Sequence, residues 1–131
     1  MINHTVFVYG TLKSGYGNNT LLYGSEFMGK AQTVDRYPMV VDALPFVLED
    51  KGEGHRISGE VYVVDDDHLK RLDQLEGHPI AYRRRQVPVE MQDGGTEVTA
   101  WLYFYPHADT RMRSLPYNET YEKGMIWHRY M

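Results

Sequence analysis

Residues 5–15 read Thr5-Val6-Phe7-Val8-Tyr9-Gly10-Thr11-Leu12-Lys13-Ser14-Gly15. A β-branched and aromatic run that stops at a glycine is the pattern of a buried strand entering a turn. Glycines at 10, 15 and 17, with Ser14, Asn18 and Asn19, then describe an irregular loop. Beyond it, Leu21-Leu22 seeds a short helix. Short strands are expected at Phe27 to Val34, Met39 to Val41, Pro45 to Glu49 and Ile57 to Val64, with a polar turn over 50–54. Asp65-Asp66-Asp67 then precede Leu69, Leu72 and Leu75, and Gly77 and Pro79 follow, so a capped helix is expected up to Glu76. From Tyr82 the pattern alternates again through Val87, Val89 and Met91. Asp93-Gly94-Gly95 signals a hairpin, and Val98, Ala100, Leu102 and Phe104 share one face of the returning strand. Many short strands with one convincing helix make this an α+β chain whose sheet curls towards a barrel.

Composition narrows the function classes. The 131 residues are expected to form one domain, 1–131, large enough for a single core. Lys+Arg number 14 against 18 Asp+Glu, a net charge of −4 that argues against nucleic acid as a partner. Cys is absent, which excludes a disulfide framework, a zinc–thiolate site and a thiol nucleophile. No apolar run approaches a membrane span, and Met1-Ile2-Asn3-His4 lacks the character of a signal peptide. A cytoplasmic protein with no membrane partner is expected. Tyr outnumbers Phe by 11 to 4, which brings hydroxyls into strand packing and into walls that touch polar ligands.

Two places invite chemistry. In the loop after the first strand, glycine lets several backbone N–H groups point into one space and cradle an anion or a carbonyl. Gly10 and Gly15 have P-loop spacing, but Tyr16 stands where a lysine must be, so triphosphate binding is poorly supported. The bland reading is a structural turn. The second place is Glu76. At about 100° per residue, seven positions return within about 20° of the start, so Glu76 lies on the core-facing stripe of Leu69 and Leu72. Lost hydration and the negative helix end both disfavour its anion, as a general base or acid working near neutrality requires. The alternative is a glutamate at a frayed helix end that reaches water.

Other constellations are weaker. The six histidines show no ligand spacing, and no metal site is expected. Asp65 to Asp67 are more simply a helix cap than a cation site. Arg83, Arg84 and Arg85 alternate faces in a strand and form no single basic patch. The serines lack a nucleophile-elbow context, and Asn118-Glu119-Thr120 is a sequon without a secretory setting.

Several stretches together resemble the gamma-glutamylcyclotransferase-like superfamily, closest to its gamma-glutamylamine cyclotransferase branch. They are Val6-Phe7-Val8-Tyr9-Gly10-Thr11-Leu12-Lys13, Tyr37-Pro38-Met39-Val40, Ser58-Gly59-Glu60-Val61-Tyr62-Val63-Val64-Asp65, and Leu72-Asp73-Gln74-Leu75-Glu76-Gly77 followed by Tyr82-Arg83-Arg84. The likeness runs from Val6 to about Tyr121. It implies a small mixed β-barrel with flanking helices, and release of 5-oxoproline from a small-molecule gamma-glutamyl substrate without a cofactor. Residue by residue, it places substrate binding at Tyr9, Gly10, Thr11 and Leu12 and the catalytic glutamate at Glu76. Tyr82 and Tyr121 are expected, apart from that mapping, as pocket walls. It leaves open which gamma-glutamyl compound is used. A non-catalytic small-molecule or protein-binding module of the same fold stays as the alternative. The tail from Lys123, with Trp127-His128-Arg129-Tyr130, has no counterpart in these motifs.

Overall fold

Strand β1, Asn3–Val8, is the seam of a closed barrel. In this computed structural model, which describes residues 3–122, β1 lies between two strands distant in sequence. It runs antiparallel to β5, His55–Asp65, with Val6 beside Tyr62, and parallel to β7, Glu97–Phe104, with Val6 beside Trp101. The ring continues through β2, Glu26–Tyr37, and β6, Arg83–Met91, in the order β1-β5-β2-β6-β7. All other neighbours in the ring are antiparallel. The mixed barrel expected from the resemblance is therefore present, and closure removes the free sheet edges. A separate two-stranded ribbon, β3 (Met39–Asp42) with β4 (Leu44–Val47), leans against it, the Tyr105 N–H reaching the Val47 carbonyl at 2.8 Å.

Alternation explains which side chains fill the barrel. Val87 and Val89 from β6 join Ala100, Leu102 and Phe104 from β7, Ala31 from β2, Val61 from β5 and Phe7 from β1 in one buried cluster. Met91 and Val98 pack at its border. The residues of opposite parity, Val6, Val8, Tyr62, Val64 and Tyr103, face outward under Leu69 and Leu72 of helix α1, Asp66–Glu76. Leu72 is fully buried there, a placement worth about 1.5–3 kcal/mol. Asp65 caps α1 by accepting the His68 N–H, and Gly77 ends it in the left-handed region at φ 65°. That conformation carries little cost for glycine and explains the stop.

Several elements differ from the sequence reading. The expected strand Phe27 to Val34 continues to Tyr37, because a register shift after Gln32 lets Arg36 and Tyr37 pair with Arg56 and His55. The short helix at Leu21-Leu22 is a 3-10 turn, Gly17–Leu22. A one-turn helix α2, Thr110–Arg113, was not anticipated; Asp109 caps it, and Met112 is buried beneath it. The expectations about Met1-Ile2 and about the aromatic tail lie outside the described residues. Among the described residues, no helix is long and apolar enough to cross a membrane.

Candidate active site

Four of the five residues singled out by the resemblance come from one place, where β1 leaves the barrel. Tyr9, Gly10, Thr11 and Leu12 line a cavity of about 150 Å³, and Glu76 lines it from the end of α1. A cavity of that order holds a small ring. Pro45 and Leu44 of the ribbon, Leu75, Tyr82, Tyr103 and Asn18 complete much of its wall. Tyr121 does not line it. Its ring packs on the barrel cluster and against Tyr16, and its carbonyl accepts a hydrogen bond from Lys13. This corrects its expected role: after α2 the chain meets the loop at Lys13 and Tyr16 and not at the cavity.

The local folding of each contributor is traceable. Gly10 is required by close approach, since a Cβ there would lie 2.8 Å from Pro45 Cγ. The loop closes on itself through Lys13 N–H to the Gly10 carbonyl at 3.1 Å and Asn18 N–H to the Thr11 carbonyl at 3.0 Å. The Asn18 amide also donates to Thr11 Oγ1 at 2.8 Å, and the Asn19 amide to the Leu12 carbonyl at 2.8 Å. Among the described residues, the Thr11 and Leu12 N–H groups take no backbone partner. Across the cavity, the Gly77 turn returns the chain onto α1, and the Tyr82 N–H donates to the Glu76 carbonyl at 3.1 Å. This delivers the Tyr82 ring beside the acid. Phe46 stacks on that ring, centroids 5.8 Å apart and planes within 5°.

The last turn of α1 is anchored from the barrel. Asp73 receives Arg84 Nε at 2.8 Å and Nη2 at 3.1 Å, and the Tyr103 hydroxyl at 2.7 Å. Arg84 also lies over the Trp101 ring at 4.2 Å. Arg83 and Arg85 reach Glu49 instead, so the three arginines do alternate between two faces. A bidentate pair fixes geometry as well as charge, which holds Glu76, one turn further on, against the cavity.

Burial raises the Glu76 carboxyl from 4.5 to about 7. The physical reason is visible around it. The Tyr9 hydroxyl donates to the Tyr103 carbonyl at 2.7 Å, the Tyr82 hydroxyl to the Pro45 carbonyl at 3.2 Å, and the Tyr103 hydroxyl to Asp73. Each phenol proton is therefore committed elsewhere, and none compensates the acid for its lost water. The three phenols are themselves pushed up, chiefly by burial and further by the Glu76 charge, so they stay protonated near neutrality. The arrangement is a largely buried acid facing the Gly10-Thr11-Leu12 loop across a small cavity. It can accept and return a proton near pH 7 and bind a carboxylate or carbonyl opposite.

Sequence reasoning missed Tyr103, Leu44 and Pro45. Tyr103 had a usable signal, because its parity in β7 is opposite to that of Leu102 and Phe104 and turns it outward towards α1. Leu44 and Pro45 had none, since the ribbon's docking is a long-range event.

Comparison with known proteins identifies the family. The family model described as gamma-glutamyl cyclotransferase, AIG2-like, matches residues 6–123. A protein of Methanocaldococcus jannaschii, provisionally named a gamma-glutamylcyclotransferase, is 49% identical over 104 residues, covering 79% of this chain and 85% of its own. The gamma-glutamylaminecyclotransferase of Bos taurus is 34% identical over 125 residues, covering 89% of this chain and 74% of its own. The crystal structure of an AIG2-like protein from Mus musculus superposes with a TM-score of 0.90 at 31% identity, covering 95% of this chain and 92% of that one. Barrel, loop and half-buried acid thus stand in a chain that belongs to the gamma-glutamyl cyclotransferase, AIG2-like family of enzymes.

Proposed function

We propose that the chain is a gamma-glutamylamine or gamma-glutamyl cyclotransferase in which Glu76 carries the protons. The observation that supports this most is the Glu76 carboxyl, raised by burial to about 7 and facing the same cavity as Gly10, Thr11 and Leu12. The substrate's α-amine attacks its own γ-carbonyl carbon. A new C–N bond closes the five-membered lactam, and the amide C–N bond to the departing amine breaks. The α-ammonium nitrogen loses two protons as it becomes the lactam N–H. Both end on the departing nitrogen, which leaves as an ammonium, with Glu76 relaying them in turn.

Nucleophile and electrophile belong to one molecule, so folding the substrate supplies much of the rate by proximity. No enzyme nucleophile is needed, in keeping with a chain that has no Cys. The loop amides hold the substrate carboxylate or the developing oxyanion. The test is 5-oxoproline release from a panel of gamma-glutamyl amines and gamma-glutamyl amino acids. Turnover is expected to rise with pH through about 7 and to be lost in Glu76→Gln. Full turnover by that variant overturns the role given to Glu76.

A further inference from the structure

The stretch Ser58-Gly59-Glu60-Val61-Tyr62 carries much of the sequence signature, yet none of these residues takes part in the chemistry above. Its geometry gives it a task. A Cβ on Gly59 would lie 2.6 Å from Phe7 Cζ and closer still to the Val8 carbonyl, so glycine lets β5 press against the end of β1, the strand that delivers the loop. The next side chain, Glu60, is buried, with 8% of the residue exposed. Its Oε1 accepts the Ser14 backbone N–H at 2.7 Å and the Tyr62 hydroxyl at 3.3 Å.

The Tyr62 oxygen in turn stands 3.0 Å from Ser14 Oγ and accepts the Asn19 amide at 3.1 Å. That same amide reaches the Leu12 carbonyl at 2.8 Å. One buried carboxylate and one phenol therefore hold the chain on the C-terminal side of Thr11 and Leu12, at Ser14 directly and at the Leu12 carbonyl through Asn19. Lys13, also buried, is pushed down by burial and back up by Glu60, which ties the loop's own cation to the same acid.

We propose that Glu60 is the positioning residue of the ligand-binding loop: its buried carboxylate clamps the Ser14 amide, and Tyr62 extends the clamp, so that the Thr11 and Leu12 N–H groups are aimed into the cavity before ligand arrives. The proposal rests on the cyclotransferase reading for what that ligand is. Charge-assisted bonds from a backbone N–H to a carboxylate are among the strong ones, and donors aimed in advance bind without the cost of ordering a loop. Glu76 is held separately, through Asp73, Arg84 and Tyr103. Loosening the loop should therefore weaken ligand binding and leave the acid's titration alone.

The experiment compares wild type, Glu60→Gln, Glu60→Ala and Tyr62→Phe for KM, kcat, the pH inflection, 5-oxoproline affinity and hydrogen exchange of the Ser14 amide. Glu60→Ala is expected to raise KM and the 5-oxoproline Kd by about tenfold, with the pH inflection unmoved and Ser14 exchange accelerated. Glu60→Gln keeps an acceptor for Ser14 and should stay within about threefold of wild type. A purely structural role would lower the active fraction, and so kcat, at unchanged KM. If Glu60→Ala does not fold, Tyr62→Phe carries the test with a smaller rise in KM and faster Ser14 exchange. An unchanged KM in a folded Glu60→Ala or, failing that, in Tyr62→Phe overturns the proposal, as does Glu60→Gln behaving like Glu60→Ala. A wild type that neither binds nor releases 5-oxoproline overturns the cyclotransferase reading itself, and Ser14 exchange then reports whether the clamp exists.

Discussion

Replacing Glu76 with glutamine should remove activity and, above neutral pH, make the protein more stable. Glutamine has nearly the shape of the protonated acid and never carries its charge. In the folded protein the carboxyl sits at about 7, against 4.5 when unperturbed, because burial disfavours the anion. The folded value is the higher one, so the folded chain holds the proton more tightly than the unfolded chain. Stability contributed by this group is therefore complete below about 4.5 and is lost as pH rises through about 7. At about 1.4 kcal/mol per pH unit, the gap corresponds to a penalty of about 3 kcal/mol at pH 8 and above. Glutamine escapes that penalty. With an unfolding entropy of about 2.1 cal/mol/K per residue over 131 residues, this is a rise in Tm of about 10 °C. Thermal unfolding of wild type and Glu76→Gln at pH 4.5, 6, 7 and 8.5 reads it directly. The two curves should coincide at the lowest pH and separate as pH climbs, with the variant above. A difference independent of pH, or a variant less stable at pH 8.5, would refute the claim that burial without a donor raises this acid.

Two further outcomes follow from the packing. Gly10→Ala places a methyl group 2.8 Å from Pro45 Cγ in a wall of the cavity, and should cost about 1–3 kcal/mol of stability while weakening 5-oxoproline binding. Denaturant midpoints and calorimetry would show both, and a variant with wild-type affinity would mean the ribbon yields. His68 is raised by its bond to the Tyr23 carbonyl and then by Asp65, tying the start of α1 to the segment before β2. Because its folded value is raised, its contribution is present below about 6.5, the ordinary histidine value, and is lost as pH rises through the folded one. The urea midpoint of wild type should exceed that of His68→Gln by more at pH 6 than at pH 9, and a constant gap would remove His68 from the account.

Local pattern carried a large part of this molecule. The spacing of Leu69, Leu72 and Glu76 depends only on helical pitch, so a partly buried acid at the helix end could be read directly, and Asp65 and Gly77 bounded the helix for equally local reasons. The inward faces of β6 and β7 followed from a period of two. What lay beyond reach was set by contacts between residues far apart in the chain. Val6 meets Trp101 only when the sheet closes, and the ribbon brings Pro45 against Gly10 across 34 intervening residues. Neither Glu60 nor Asp73 differs in sequence from a solvated surface acid. Glu60 becomes a buried clamp because the loop folds back over β5, and Asp73 an anchor because Arg84 and Tyr103 converge on it. Periodicity says which way a side chain points relative to its own element. What it meets there is decided by the packing of the others, and the phenols that deny Glu76 a donor belong to that second kind of information.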